Sequence, residues 1–309
     1  EVTKDKSAPD GDPLITFSAV KFATEMTEAN KQLSFGNLPF ARYMIANATN
    51  YCITCHTRTN KGNQHFELGW NPKLDNFSSI GRAQFYLAIR QYDTALVELD
   101  KIATDEKIIK FNPKGWQQSV EKYLAVAVRV KRDPEMGIKF LNKILESEPV
   151  PVSFKFESLF WRRALQEWKK ELAKPYANLP TRKMQFEKAQ SLLKAATSVN
   201  LEKGNPGLVQ ALRASTLLHD LLHDKKTDNI YGESLYLSGL AAESLKDINL
   251  WTMHEAYYEA CVRHAPHTVL AQKCYTNYEQ LMLSDIYADK YDSFVPDYIN
   301  AKLGELKAL

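Results

Sequence analysis

The sequence predicts an all-α protein in which a short helical module, residues 14–77, precedes a body of helical repeats, residues 78–309. Three observations support this fold class. Apolar residues recur at the three- and four-residue spacing of a helix face in both parts. Short breaks containing Pro, Asn or Gly separate the periodic segments. Beyond residue 75, comparing the chain with itself shows a weak recurring pattern, which indicates stacked helix pairs.

Residues 1–13 contain Pro9, Gly11 and Pro13 among charged residues, and this composition predicts a flexible lead-in. From Leu14 the apolar residues recur at roughly helical spacing, which predicts a helix that ends near Ser34. The residues Gly36-Asn37 and Pro39 then interrupt the pattern. A second helical stripe begins at about Pro39 and leads directly into Cys52, so the module starts with a helical hairpin.

The overall composition is that of an ordinary globular protein, and it excludes two classes of function. The 309 residues carry 40 basic and 37 acidic side chains, a net charge of +3, and the two signs are mixed along the chain. Because this mixture gives no basic stripe, we expect no nucleic-acid binding. The sequence has no uninterrupted run of about 18 apolar residues, so we expect no transmembrane segment.

The sharpest signal in the chain is the pentapeptide Cys52-Ile53-Thr54-Cys55-His56 at the end of the second helix. Cys-x-x-Cys-His is the spacing that attaches haem c. Two residues between the thiols let each sulfur reach one haem vinyl group from a single helical turn, and the adjacent imidazole is directed at the iron. The motif therefore predicts one covalent haem c, with Cys52 and Cys55 as thioether attachments and His56 as the proximal axial ligand.

Two other chemistries use a pair of cysteines at this spacing. Half of a zinc site would need a second ligand pair nearby, and no such pair follows within thirty residues. A thioredoxin-type redox pair would need a βαβ pattern around the motif, whereas the flanking sequence is helical in pattern. Haem attachment is the interpretation that the spacing favours.

The helix that contains Ala41, Arg42 and Tyr43 and ends at the Cys-x-x-Cys-His motif resembles elements of two kinds of c-type cytochrome. It is similar to the first helix of ordinary cytochromes c and to the last helix of the four-helix cytochromes c′. It departs from the former because no Met occurs between Met44 and Met136, and from the latter because only one helix is readable before the motif. The resemblance implies single-electron transfer and export, with the periplasm as the default compartment and the cell surface as the alternative.

The second axial ligand of the iron is a choice among several candidates. His65 lies nine residues after His56, far enough to cross to the other haem face, and is the first choice. Met26, on the neighbouring helix, is the second. The remaining alternatives are an open iron or a histidine from the helical body. Arg58 and Lys61 are candidates for contacts with the haem propionates, and the alternative for both is a solvated loop charge.

The recurring pattern of the body resembles the tetratricopeptide repeat, in which small residues let paired helices approach closely. We expect about four irregular helix pairs, and the alternative is an irregular helical bundle. The first instance contains Ala83, Tyr86, Ala95, Leu99 and Ile102; the second contains Leu124, Ala125, Val128, Gly137, Leu141, Ile144 and Pro149. The third contains Ala189, Leu193 and Ala196, after a helix around Trp161; the fourth contains Leu237, Gly239, Ala242, Met253, Tyr257, Ala260 and Pro266.

The remaining cysteines and histidines have more than one interpretation. Cys261 and Cys274, thirteen residues apart, suit a disulfide between neighbouring helices or two buried small residues equally well. His219 and His223, four residues apart, have the spacing of a metal site, but two helix-surface histidines are the favoured interpretation because no third ligand is evident.

Together these features predict an exported cytochrome with one haem that exchanges single electrons with a protein partner docked on its repeats. That partner is a soluble redox protein or a cytochrome complex at the membrane or cell surface, and a homo-oligomer is compatible with the sequence. The first alternative is a periplasmic scaffold or assembly factor with a structural or sensing haem. The second is a haem enzyme with an open distal site.

Overall fold

The computed structural model describes residues 12–58, 74, 76–174, 178–198, 204–224, 229–245, 253–288 and 295–309, with only the backbone described for 285–288. Throughout these ranges the regular secondary structure is helical, which confirms the predicted all-α class. The described ranges contain fourteen α-helices and one π-helical turn. Within them, no helix combines the length and the apolar composition that crossing a bilayer requires.

The first two helices form the predicted hairpin. Helix α1 spans Pro13–Ser34 and helix α2 spans Leu38–His56. The carboxylate of Asp12 accepts a hydrogen bond from the backbone N–H of Leu14 at the start of α1, and the side chain of Asn37 does the same for Phe40 in α2. Gly36, with φ of 77°, supplies the left-handed residue of the turn. The predicted helix end near Ser34 and the predicted second helix are therefore confirmed.

Small residues form the seam between the two helices of the hairpin. Ala29 of α1 and Ala41 and Ala48 of α2 are buried, whereas most larger side chains of the outer part of the hairpin are exposed. The absence of long side chains at the seam lets the two backbones approach closely. The seam also fixes the rotation of each helix about its axis, and this rotation decides which residues face outward.

The body continues with twelve more α-helices. In chain order, the first six are α3 (Ser79–Ala88), α4 (Tyr92–Ala103), α5 (Glu106–Phe111), α6 (Pro113–Ala125), α7 (Pro134–Glu146) and α8 (Val152–Leu172). The π-helical turn, Val126–Val130, directly follows α6. The last six are α9 (Arg182–Thr197), α10 (Leu208–His223), α11 (Asn229–Ser244), α12 (Met253–His264), α13 (Val269–Ala288) and α14 (Asp297–Lys307).

The helices of the body pack mainly on their sequence neighbours, but not with the predicted pairing throughout. The α3–α4 and α11–α12 pairs coincide with the first and fourth predicted instances. In between, α7 packs chiefly on α8 and α9 on α10, whereas the sequence pattern paired α6 with α7 and α8 with α9. Two glycines of the pattern lie at close approaches: Gly137 contacts the side chain of Leu165, and Gly239 lies against the ring of Tyr258.

The hairpin and the body share one large hydrophobic core. Leu14 of α1 and Ile53 of α2 belong to the same cluster of buried side chains as Leu87 and Tyr257 in the body. The predicted boundary between residues 77 and 78 therefore does not separate two cores. The predicted flexible lead-in is also too long, because Asp12 and Pro13 are buried and begin α1; residues 1–11 lie outside the described ranges.

A disulfide joins two neighbouring helices near the C-terminus. Cys261 of α12 and Cys274 of α13 are bonded, with their Cα atoms 6.1 Å apart, and both residues are fully buried. Of the two interpretations that the sequence left open for this pair, the structure has the disulfide.

Candidate functional site

The candidate site is the last turn of α2, where the Cys-x-x-Cys-His motif lies. Cys52, Cys55 and His56 are related by three- and four-residue steps and so share one face of the helix. Each of the three is partly exposed, whereas Ile53 and Thr54 between them are buried in the core. Both thiols are free. The fold therefore leaves the three groups partly accessible and uses the intervening residues as the anchor.

The imidazole of His56 has a fixed orientation. Its Nδ1 lies 2.5 Å from the carbonyl oxygen of Ala88, the last residue of α3. Because a carbonyl oxygen only accepts hydrogen bonds, this contact assigns the proton to Nδ1 and leaves the lone pair of Nε2 available for a metal. The hydroxyl of Tyr92 donates to the backbone carbonyl of His56 at 2.7 Å and fixes the end of the helix.

Burial sets the protonation of these groups. Desolvation lowers the pKa of His56, which favours the neutral imidazole that can bind a metal. It also raises the pKa of Cys52 and of Cys55, so both thiols are protonated at neutral pH. The site has no activated thiolate of the kind that a thiol–disulfide oxidoreductase uses.

An exposed apolar strip on α1 lies beside the motif. The position of a residue along the hairpin follows from the rise of 1.5 Å per residue, counted from the turn. Ile15 is about 28 Å from the end of α1 at Ser34, and His56 is about 27 Å from the start of α2. The two residues are therefore at the same height on the hairpin. Phe22 and Cys52 also lie at similar distances from the turn of the hairpin. Ile15 is 52% exposed and Phe22 is 37% exposed.

Met26 lies on the hairpin away from the motif, whereas His65, the first-choice ligand, and Lys61, a predicted propionate contact, are not described. Met26 lies about 12 Å from the end of α1, so it is about 15 Å short of His56 along the hairpin axis. Met26 is therefore farther from His56 along the hairpin axis than Ile15 is, and its role as the second-choice distal ligand stays a prediction. His65 and Lys61 lie outside the described residues, so the predictions for both stay untested.

Arg58 does not lie on a solvated loop. Its side chain is buried, and Nη2 makes a 3.1 Å ion pair with the fully buried carboxylate of Asp12. The same carboxylate also contacts Nδ1 of His219 at 2.7 Å and the hydroxyl of Tyr257 at 3.3 Å. We call Asp12, Arg58, His219, Tyr257 and the nearby Arg129 the junction cluster.

Sequence reasoning missed the junction cluster. The Asp12-Pro13 pair is a signature of a helix start, which could have placed a capping carboxylate at this position. Its burial could not be anticipated, because His219 and Tyr257 are 207 and 245 residues away in sequence. The structure places His219 in this cluster and His223 at the surface, so the two do not form a metal site.

A groove of about 540 Å³ lies elsewhere, between α8, α9 and α10. Its floor contains Trp168, over which the guanidinium of Arg213 stacks with a distance of 5.0 Å to the ring centroid. Glu171 accepts hydrogen bonds from Arg213 and from Lys188, so these charged side chains of the groove wall pair with one another. The groove is a second candidate binding surface, distant in sequence from the motif.

Among the residues described, no group of three or more His, Cys, Asp or Glu side chains is arranged to hold a metal ion by itself. A haem site does not need such a group, because the porphyrin supplies the other ligands of the iron. Comparison with known proteins adds no constraint: no protein-family model, no curated protein and no solved structure matches this chain.

Proposed function

We propose that the chain is a c-type cytochrome with a single haem, attached through Cys52 and Cys55 and ligated by His56, and that it transfers single electrons. The observation that carries this proposal is the hydrogen bond from His56 Nδ1 to the Ala88 carbonyl. Metal-binding histidines commonly hold their second nitrogen in this way, which fixes the tautomer and directs Nε2 at the metal.

The residues around the motif suit a large apolar group. The strip of Ile15, Ala19 and Phe22 leaves apolar surface exposed at the level of the thiols, and a flat macrocycle held at Cys52 covers surface of this kind. When bound, the haem supplies an iron that cycles between the ferric and ferrous states. The protein attaches the ring through the two sulfurs, holds the proximal imidazole neutral and limits the access of water from the α1 side.

The compartment and the partner follow from the same proposal. Haem c attachment and the Cys261–Cys274 disulfide are both typical of proteins exported to an oxidising compartment, which favours the periplasm or the cell surface. The paired helices of the body, which resemble tetratricopeptide repeats, provide the docking surface for a redox protein or a membrane or surface cytochrome complex. The distal ligand is His65, as the sequence indicates.

The test of haem attachment is expression with an export signal in a bacterial host that matures haem c. We expect one covalent haem per chain, measured by intact mass and by the haem-to-protein absorbance ratio. The Cys52→Ala, Cys55→Ala double variant should lose it, whereas the Cys261→Ala, Cys274→Ala variant should keep it. Protein that carries no covalent haem in this host would refute the proposal. A low-spin spectrum that becomes high-spin in His65→Ala would identify the distal ligand.

A matched pair of charge substitutions tests the geometry of the apolar strip. Phe22 and Val20 are both exposed on α1, but two residues turn a helix by about 200°, so Val20 lies on the far side from Cys52. Phe22→Glu adds a negative charge near the iron and should lower the midpoint potential by about 30–70 mV. Val20→Glu should change the potential much less, and equal shifts would contradict the placement of the haem on this face.

The groove between α8 and α10 favours a second candidate function, a scaffold in which the haem is structural. A partner could place an aromatic side chain beside Trp168, or an acidic side chain that replaces Glu171 in its ion pair with Arg213. The double cysteine variant separates the two functions. A scaffold should still capture its partner after the haem is removed, whereas an electron carrier should lose its reaction with the partner.

A further inference from the structure

A small cavity lies where the end of α2 meets α10, α11, α12 and the π-helical turn. It has a volume of about 10 Å³, and the residues that line it include Arg58, Arg129, Ser238, Met253 and Tyr257. This volume holds one water-sized or single-atom occupant and excludes a polyatomic ligand. Neither Cys52 nor Cys55 is among the residues that line the cavity.

Two guanidinium groups line this cavity, and both lack part of the hydrogen-bond acceptors and counter-charge that a buried arginine needs. Arg129 is only 2% exposed, its Nε has no hydrogen-bond partner, and no ion pair to Arg129 occurs among the residues that the structure describes. The Nε of Arg58 also lacks a partner, as does the hydroxyl of Ser238. Buried donors without acceptors are costly, and a buried charge without a counter-charge is more so.

The nearby carboxylate cannot compensate both arginines. One oxygen of Asp12 accepts from Arg58, His219 and Tyr257, and the other accepts from the backbone N–H of Leu14. Burial lowers the pKa of His219 and raises that of Tyr257, so both are neutral near pH 7. Among the residues that the structure describes here, two positive charges and one negative charge give this buried cluster a net charge of +1.

The backbone is distorted at the residue that completes the cluster. Arg129 belongs to the π-helical turn Val126–Val130, and all five residues of the turn are buried. Single π-turns are rare and often occur at functional positions, because the wider turn redirects a side chain that a regular helix would place elsewhere. Here the turn brings a charged side chain into the core beside Arg58. The repulsion between the two cations is one reason that the pKa of Arg129 falls to about 9, after desolvation.

We infer that this cavity is a binding site for a small monovalent inorganic anion of the size of chloride, held by Arg58, Arg129 and the hydroxyl of Ser238. The anion neutralises the net charge of the junction cluster and accepts the hydrogen bonds that the protein leaves unmade. It therefore stabilises the contact between the hairpin and the body. The site needs no haem, so it stands or fails independently of the proposed function.

The test is thermal unfolding of the purified protein as a function of chloride at constant ionic strength, with gluconate as the replacing anion. We expect the melting temperature to rise by about 3–6 °C and to saturate. Bromide diffused into crystals should give an anomalous peak in the cavity. If the melting temperature is the same in gluconate as in chloride, or does not saturate with chloride, the cavity holds only water. Either result would overturn the inference.

Two variants and one control assign the response to the cavity. Arg129→Met should abolish the chloride dependence and, in gluconate alone, should be at least as stable as the wild type, because it removes an uncompensated charge. If that variant does not fold, Ser238→Ala should raise the apparent chloride dissociation constant about 5–10-fold through the loss of one hydrogen bond. Arg213→Met, which removes an arginine paired with Glu171, should keep the full chloride response. A full response in Ser238→Ala or Arg129→Met would contradict the site.

Discussion

Asp12 shows how one residue can connect distant parts of a chain. Its carboxylate caps α1 through Leu14, and it pairs with Arg58 just past the haem motif. It also contacts His219 of α10 and Tyr257 of α12. The pKa of Asp12 is held below its usual range, despite the opposing effect of desolvation, because Arg58 and His219 stabilise the charged form. Its contribution to stability is therefore present above about pH 4 and lost in acid.

His219 predicts a loss of stability at milder pH. Burial lowers its pKa in the folded state, so between that pKa and the unfolded value of about 6.5 the unfolded chain binds more protons. Stability should therefore fall as the pH drops below about 6.5. The measurement is the free energy of unfolding in urea from pH 7.5 to 5.5. In His219→Gln this free energy should fall less steeply with pH than in the wild type, and the two slopes should differ by up to about 1.4 kcal/mol per pH unit. His223→Gln, at an exposed position of the same helix, is the control; an equal change in both variants would contradict the assignment.

At the scale of the element, the sequence predicted those features that local physics decides. The hairpin was predictable because capping residues, the Gly36 turn and the apolar spacing all act within a few residues. The shared helix face of Cys52, Cys55 and His56 follows from their spacing alone. The contact between His56 and Ala88, the burial of Arg58 and the pairing of α7 with α8 could not be predicted, because they depend on contacts between separate helices.

The pairing of α11 with α12 gives a prediction at this scale. A Cβ added to Gly239 would overlap the ring of Tyr258, and that ring cannot move freely because its hydroxyl is hydrogen-bonded to Glu243 and Asn277. We expect Gly239→Ala to lower the free energy of unfolding by about 1–3 kcal/mol. The control is Gly304→Ala in α14, which has no heavy atom within 4 Å of its added Cβ and should gain about 0.5–1 kcal/mol. Both values come from urea titrations, and a stabilised Gly239→Ala would show that the helices have room to separate.

For the molecule as a whole, the end of the hairpin that carries the Cys-x-x-Cys-His motif packs on the body, and the outer part of the hairpin is largely exposed. The buried residues of α1 and α2 that contact the core lie near Leu14 and Ile53, at the end of the hairpin that carries the motif. The iron would thus lie at the boundary between the projecting hairpin and the body. If the proposed haem is attached there, a partner that contacts both parts would be able to approach its edge, as the proposed electron transfer requires.

The C-terminal end of the body depends on a covalent bond for its stability. The disulfide between Cys261 and Cys274 joins α12 to α13, while ion pairs from Lys302 to Glu259 and from Arg263 to Glu305 hold α14 on α12. These ion pairs are partly exposed and pairs of this kind contribute about 1 kcal/mol or less, so the disulfide should dominate. The Cys261→Ala, Cys274→Ala variant should lose about 3 kcal/mol and melt roughly 5–10 °C lower. The check is calorimetry of the variant against oxidised wild type, with non-reducing peptide mapping to confirm the linked pair. If both melt at the same temperature, the helices are held by packing alone.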